Sequence, residues 1–189
     1  MDKVTLPRQL SFHLTHELFA YSDASNNGLA CCFYLRTYDT ETNKILVQFV
    51  HGKSKVRPIS TDALDDSIPR LELQAAALLG KQFDHLKEAF GIRGEQCKAY
   101  TDSACVYFWT RANVGNLCPF QHNRVVTLRQ QGFTNWRYVS SECNPADEGA
   151  KAWQLSSCCL KATVAGSEVL LGYGIRLRPG LQMYQAIKA

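Results

Sequence analysis

The sequence predicts an α/β protein in which a five-stranded mixed sheet, three antiparallel strands followed by alternating helices and strands, is flanked by helices. Two observations predict this fold class. Three runs rich in apolar, aromatic and β-branched residues lie within residues 17–51, and beyond residue 68 the apolar residues recur at helical spacing. A strand meander followed by strands that alternate with helices is typical of a mixed sheet with helices on its faces.

Composition and length favour one globular domain. The chain has 189 residues, of which 46% are hydrophobic and 20% are charged. A chain of this size buries roughly 70% of the surface it would expose unfolded, so a single core can be stable without disulfides or metal ions. No apolar run approaches the ~20 residues of a membrane-spanning helix, and residues 1–10 lack a secretory signal. We therefore expect an intracellular protein, cytoplasmic or nuclear, without a membrane partner.

Cysteines and net charge exclude some kinds of site and leave others open. The eight cysteines include two adjacent pairs and no CxxC spacing, which suits neither a disulfide framework nor a zinc site. We expect them to be small buried apolar residues. The net charge of +4 is compatible with a polyanionic partner but does not by itself indicate one.

The first three predicted strands form an antiparallel meander. Two of them lie within residues 17–36 and flank Asn27-Gly28, the strongest short hairpin signal. The third covers residues 44–51, and the basic, turn-rich segment 52–60 is expected to follow it outside the sheet.

The second half of the domain is predicted to alternate helices and strands. The clearest helix begins near Pro69 and ends at Gly91, with apolar residues at helical spacing between them. The remaining predicted elements are a strand over 96–101, helices over 104–112 and 119–131, a strand over 136–139 and a helix over 145–155. Residues 1–16 and 156–189 are interpreted as N-terminal and C-terminal extensions of a domain that covers 17–155.

Four carboxylates occupy special places in this pattern. Asp23 ends the first strand, Glu72 lies in the first turn of the long helix, Asp102 follows the fourth strand, and Asp147 begins the last helix. Strand ends and helix starts at one edge of a sheet bring distant residues together. Converging carboxylates repel one another unless a cation compensates them, and oxygen ligands favour Mg²⁺ or Mn²⁺. A pair of such ions supports phosphodiester hydrolysis.

Each acid also has an ordinary structural explanation. Asp23 could belong to a turn, Glu72 and Asp147 could interact favourably with a helix dipole, and Asp102 could be an N-cap. The joint arrangement, one acid in each of four elements, favours a common site.

Four short motifs contain these acids in a fixed order: YSDAS, IPRLEL, YTDS and WRYVSSECNPAD. With the intervening HGKSKVRPIS, residues 18–151 resemble the ribonuclease H domain of retroelement reverse transcriptases, most closely that of Pao (Bel/Pao) LTR retrotransposons. The resemblance implies the ribonuclease H-like fold and endonucleolytic cleavage of the RNA strand in RNA:DNA hybrids. It also implies two Mg²⁺ or Mn²⁺ ions and, as a further partner, the polymerase portion of a reverse transcriptase.

The same resemblance assigns roles to the four acids. Asp23 and Asp102 would be shared between the two ions, while Glu72 would complete one ion site and Asp147 the other. The segment 140–146 lacks the histidine that assists product release in many cellular ribonucleases H, so we expect slow turnover. Glu148 departs from the family pattern, and we expect its side chain to face solvent.

Substrate binding is expected to depend on phosphate contacts and duplex shape rather than on base edges. The candidates are a basic segment and three polar residues beside the acids, which could bond to phosphate or to a 2′-hydroxyl. They are Ser25, Asn26, Lys53, Lys55, Arg57 and Ser103. The basic segment could equally be a solvated loop.

Two other functions remain open from the sequence. The chain could be a catalytically decayed module of the same fold that binds nucleic acid or protein without cleavage. It could also be a nuclease or integrase-like protein that acts on DNA, although Glu72 precedes Asp102, whereas such proteins place the glutamate last.

Overall fold

A five-stranded mixed sheet forms the centre of the protein. The computed structural model describes residues 15–39, 44–57, 67–93 and 96–151. The strands are β1 (Thr15–Ala24), β2 (Gly28–Asp39), β3 (Lys44–Val56), β4 (Cys97–Thr101) and β5 (Trp136–Tyr138), in the spatial order β3-β2-β1-β4-β5. Strands β1, β2 and β3 pair antiparallel, whereas β4 is parallel to both β1 and β5. The predicted fold class is therefore confirmed.

The predicted hairpin between β1 and β2 is present. The Ser25 Oγ accepts hydrogen bonds from the backbone N–H groups of Asn27 and Gly28, both at 3.1 Å, and the Ser25 N–H donates to the Gly28 carbonyl at 2.8 Å. A serine at the start of a turn can accept hydrogen bonds from the turn's backbone N–H groups, which have no partner in the neighbouring strand.

The third strand is longer than predicted. It continues to Val56, so residues 52–56 are part of the sheet, and the prediction that Lys53 and Lys55 follow the third strand is wrong. Lys53 pairs with Cys31 and Lys55 pairs with Leu29. The reason is the length of β2, whose backbone N–H and C=O groups from Gly28 to Cys32 require a hydrogen-bonding partner. The ladder shifts register between Phe33 and Tyr34 and then continues.

Among the described residues, the helices that flank the sheet are α1 (Ile68–Phe90), α2 (Ala104–Arg111), α3 (Pro119–Gln130) and α4 (Ala146–Lys151). Pro69 lies in the first turn of α1, and Gly91 ends this helix in the left-handed conformation with φ 63°, as predicted. Because α1 begins at Ile68, Glu72 lies in the second helical turn, not in the first. The N-cap of α2 is Ser103, not Asp102.

Both faces of the sheet are covered. The face that packs against α1 contains the larger core, in which Phe83 and Phe133 have ring centroids 4.7 Å apart. The opposite face carries an aromatic layer in which Tyr21 stacks on Tyr100 at 4.9 Å. Asp23 lies on this second face because side chains alternate along a strand and Tyr21 points the same way. Helix α4 packs on β1 and β2 at the Asp23 end of this face.

The remaining predictions have mixed outcomes. Cys31, Cys32 and Cys97 are buried, as expected, whereas Cys105 and Cys118 are exposed because they lie on the outer side of α2 and before α3. Glu148 is exposed, as expected. Most of the predicted extensions, 1–16 and 156–189, and residues 152–155 of the last predicted helix lie outside the described residues. Within the described ranges, no helix is both long and apolar enough to span a membrane.

Candidate functional site

The four acids predicted from the sequence meet at one edge of the sheet. Strands β1 and β4 are parallel neighbours in which Ser22 pairs with Thr101, so Asp23 and Asp102 follow at adjacent positions. Glu72 reaches this edge from α1 and Asp147 reaches it from α4. The carboxyl group of Asp23 interacts electrostatically with all three of the other acids. The structure therefore brings together four residues of which each lies 30 to 49 positions after the previous one in the sequence.

Asp23 is the most buried of the four acids, with 7% of its surface exposed. Burial raises the pKa of this carboxyl group to about 8, and the neighbouring charges of Asp102 and Asp147 act in the same direction. Both causes disfavour the charged form, and a bound cation would oppose both.

Glu72 is oriented by the first residues of α2. The buried Ser103 hydroxyl donates a hydrogen bond to Glu72 Oε2, and the same Oγ accepts one from the Val106 N–H at 3.2 Å. Burial raises the pKa of Glu72, the hydrogen bond from Ser103 opposes this change, and Asp102 adds to it. The N-cap of α2 thus also fixes the Glu72 side chain.

Asn144 joins three parts of the site and was not among the residues selected from the sequence. Its side chain is 4% exposed. The Nδ2 group donates to Asp102 Oδ1 at 3.0 Å and to the Ser22 carbonyl at 3.1 Å, while Oδ1 accepts from the Ala146 N–H at 3.2 Å. Its only signal in the sequence is its position three residues before Asp147, within the NPAD motif.

We predict that Asn144→Ala lowers the free energy of unfolding by about 1–3 kcal/mol, because Asp102, the Ser22 carbonyl and the Ala146 N–H each lose a buried hydrogen bond. Urea unfolding monitored by circular dichroism measures this difference. The matched control is Asn116→Ala, which alters an exposed residue in the 3-10 turn Val114–Asn116 and should leave the midpoint unchanged. Equal midpoints for both variants would contradict the anchoring role.

Asp147 forms an ion pair within α4. The Lys151 Nζ lies 2.6 Å from Asp147 Oδ2, with 56% and 25% of the two side chains exposed. The hydrogen bond to Asp147 raises the pKa of Lys151. An exposed pair one helical turn apart is worth little to stability, so a cation could replace Lys151 at small cost.

Hydroxyl groups attach the end of α4 to the sheet. The Ser25 Oγ donates to the Ala150 carbonyl at 2.7 Å, and the Ser54 Oγ donates to the Gly149 carbonyl at 3.2 Å. These bonds give the carbonyls of Gly149 and Ala150 hydrogen-bond donors from the sheet side of the helix. They also fix the position of Asp147 relative to Asp23.

The structure places the six predicted substrate-binding residues in two groups. Asn26, Lys53 and Lys55 are exposed. Ser25, Arg57 and Ser103 have intramolecular partners: Ser25 and Ser103 as described above, and Arg57 through its guanidinium, which donates to the Asn26 carbonyl at 3.1 Å. Contact of these residues with a substrate stays a prediction.

The chemistry of the donor set fits a hard divalent cation, because all four candidate ligands are carboxylates. In the part of the chain that the structure describes, however, no three Asp, Glu, His or Cys side chains are arranged so that they could hold an ion as they stand. Instead, three of the carboxylates accept hydrogen bonds within the chain. Glu72 accepts from Ser103, Asp102 from Asn144 and Asp147 from Lys151. Ion binding would require the carboxylates to approach one another more closely.

Comparison with known families gives a match over more than half of the chain. The family described as Pao retrotransposon-like RNaseH-like domain matches residues 1–103. This range contains the motifs of Asp23, Glu72 and Asp102 and ends before that of Asp147. No curated protein matches the chain.

Several solved structures are similar to this chain at low sequence identity. The N-terminal RNase H domain of Rv2228c from Mycobacterium tuberculosis is 10% identical with a TM-score of 0.45, over 74% of this chain and 97% of that one. LC11-RNase H1 in complex with an RNA/DNA hybrid is 11% identical with a TM-score of 0.43, over 71% and 93%. RNase H1 from the archaeon Halobacterium salinarum is 13% identical with a TM-score of 0.39, over 73% and 92%.

Proposed function

Because the chain belongs to the family of Pao retrotransposon-like RNaseH-like domains, we propose that it hydrolyses the RNA strand of RNA:DNA hybrids with two divalent ions, Mg²⁺ or Mn²⁺. The observation that carries this proposal is the meeting of Asp23, Glu72, Asp102 and Asp147 at one sheet edge. Four carboxylates placed together, one of them buried, repel one another and lower the stability of the fold. Clusters of this kind are typical of functional sites. Cation binding is the use that their chemistry supports.

The four acids would hold the ions, and their neighbours would orient the acids. Ions bound there would supply Lewis acidity for the attack of water on phosphorus and for departure of the 3′ oxygen. Ser103 would hold Glu72 in place, and Asn144 would do the same for Asp102. Lys151 would release Asp147, and the exposed Lys53 and Lys55 are available to contact phosphates of the substrate.

The cellular setting is part of the same proposal. The hybrid would be formed by the polymerase portion of a reverse transcriptase, in the cytoplasm or nucleus. Hydrolysis of the RNA strand would then free the newly made DNA strand. The missing histidine in 140–146 supports slow release of the product.

One observation favours a second candidate, a module that binds nucleic acid or protein without cleaving it. Lys151 neutralises Asp147 at 2.6 Å and the carboxylates have hydrogen-bond partners within the chain. Three of the four carboxylates therefore have partners that do not depend on ions. The test below separates the two candidates.

We expect the full chain to cleave the RNA strand of a labelled hybrid in Mg²⁺ or Mn²⁺ and to lose this activity completely in EDTA. Gel analysis of matched RNA:DNA, DNA:DNA and RNA:RNA duplexes measures both the activity and its selectivity. Cleavage in EDTA would exclude the metal-dependent mechanism. Hybrid binding without cleavage in either ion would favour the binding module, and preferential cleavage of duplex DNA would indicate a DNA nuclease.

A further inference from the structure

The hydrogen-bond partners of the acids differ in charge. Two of the partners that the described residues provide are neutral, the hydroxyl of Ser103 and the side-chain amide of Asn144. The third is the ammonium group of Lys151, which lies 2.6 Å from Asp147 Oδ2. The chain therefore places one positive charge of its own directly on a proposed ion ligand.

The charge of Lys151 acts on more than one acid. Its ammonium group interacts electrostatically with Asp147, Asp23 and Glu148. Asp147 and Asp23 are both proposed ion ligands, so the charge of Lys151 acts where a divalent ion would bind. Two positive charges in the same place repel each other, and each weakens the binding of the other.

The backbone beside Lys151 is fixed, whereas its side chain is free to move. The carbonyl of Ala150, the preceding residue, accepts a hydrogen bond from Ser25 Oγ at 2.7 Å. The Lys151 side chain is 56% exposed, and Asp147 is its only ion-pair partner within the described ranges. The ammonium group can thus leave Asp147 for solvent, but the helix keeps Lys151 one turn away, ~5.4 Å along its axis.

We propose that Lys151 is a positioning residue that acts as an internal counter-ion: it holds Asp147 in the metal-free protein and competes with divalent ions for the carboxylate site. This inference rests on the proposed function and adds regulation to it, because the competition raises the ion concentration that cleavage requires. Below that concentration, Lys151 neutralises part of the acidic charge. Above it, the doubly charged ion displaces the singly charged ammonium group, and Asp147 becomes available as a ligand.

The test is the affinity of the full chain for Mn²⁺ in the absence of nucleic acid, measured by calorimetric titration and by the EPR signal of the free ion. The variant is Lys151→Gln, which removes the charge, and Lys151→Arg is the variant that keeps it. The matched control is Lys87→Gln, which breaks a lysine–aspartate pair of the same 2.6 Å length in α1. Lys87 lies 15 positions after Glu72, roughly 22 Å along the helix axis.

We expect Lys151→Gln to bind Mn²⁺ about fivefold more tightly than the wild type, which is the effect of one repulsion between charges a few ångströms apart in water. The Mg²⁺ concentration for half-maximal cleavage of the hybrid should fall by a similar factor. In EDTA the same variant should unfold at a slightly lower urea concentration, because its acids have lost a counter-ion. A merely structural role of Lys151 predicts weaker ion binding instead.

The other two variants show whether the charge at this position is the cause. Lys151→Arg should keep the Mn²⁺ affinity of the wild type within about twofold, since the positive charge remains. Lys87→Gln should lower the urea midpoint slightly and leave the Mn²⁺ affinity unchanged. Unchanged or weaker binding by Lys151→Gln, or equal tightening in Lys87→Gln, would overturn the inference.

The counter-ion role and the proposed function can fail separately. Tighter Mn²⁺ binding by Lys151→Gln, with no cleavage of the hybrid by the wild type, supports the counter-ion role and removes the nuclease function. Cleavage by the wild type, with equal Mn²⁺ affinities of wild type and Lys151→Gln, removes only the counter-ion role. If neither protein binds Mn²⁺ or Mg²⁺, both proposals are overturned.

Discussion

Asp23→Asn is expected to reduce cleavage of the hybrid by ~10³-fold or more, equivalent to about 4 kcal/mol in the activation barrier, and at the same time to stabilise the metal-free fold. The first effect follows from removal of a proposed ligand shared by the two ions. The second follows from the environment of Asp23, a residue that is 7% exposed and whose carboxyl group interacts with three other acids. Asparagine keeps the shape of the side chain and removes the carboxyl group whose ionisation this environment opposes.

The gain in stability should depend on pH in a defined direction. The folded pKa of Asp23, about 8, lies above the ordinary value of 3.8, so the charged form costs stability as pH rises from about 4 towards 8. Asp23→Asn should therefore increase the free energy of unfolding by about 1–3 kcal/mol at pH 7 in EDTA and by much less near pH 4. Urea unfolding at the two pH values measures the difference.

Metal ions should narrow this difference in stability. A Mg²⁺ concentration of ten times the dissociation constant should stabilise the wild type by about 1.4 kcal/mol, because the ion binds only the folded chain. Asp23→Asn should lose most of this increment. The matched control is Glu148→Gln, an exposed acid beside Asp147, which should keep the cleavage, the stability and the response to Mg²⁺ of the wild type. An asparagine variant that cleaves normally, or one that is less stable than wild type in EDTA, would contradict the assignment of Asp23.

The helices and strands could be predicted where nearby residues in the sequence determine their ends. The hairpin at Asn27-Gly28 and the helix from Pro69 to Gly91 carry their own turn, start and stop residues. The end of β3 could not be predicted, because Gly52, Lys53 and Ser54 read locally as a turn. Their strand conformation follows from pairing with β2, which is a tertiary effect.

In the candidate site, too, features set by neighbouring residues could be predicted, whereas contacts between distant residues could not. The positions of Asp23, Asp102 and Asp147 could be predicted from the element that each one ends, follows or begins, whereas Glu72 lies one turn further into α1 than its sequence position suggests. The residues that fix them could not, because Asn144 acts through a carbonyl 122 positions away and Ser103 through a carboxylate 31 positions away. Ser25 and Ser103 were selected as substrate contacts, and only the structure reveals their bonds within the chain.

Gly149→Ala is expected to lower cleavage by ~10- to 100-fold, because α4 must move and Asp147 moves with it. A Cβ at Gly149 would lie 2.9 Å from the Ala30 Cβ and 3.1 Å from the Ser54 Oγ. Ala30 belongs to a central strand and cannot yield, so the overlap must displace the helix, at a cost of about 1–3 kcal/mol in stability. Helix propensity alone predicts the opposite, a gain of roughly 1 kcal/mol for alanine. The sign of the stability change therefore separates packing from propensity.

The substitution Ala30→Gly distinguishes a clash with β2 from any general effect of the methyl group added at position 149. Ala30→Gly removes the atom that a methyl group at position 149 would meet, so Gly149→Ala combined with Ala30→Gly should recover most of the cleavage. Ala30→Gly alone should keep cleavage and lose roughly 0.5–1 kcal/mol of stability from backbone freedom in the strand. The four proteins form a double-mutant cycle, and contact between the two sites predicts a favourable coupling in both cleavage and urea unfolding. Additive effects would mean that the spacing of α4 from β2 does not determine the position of Asp147.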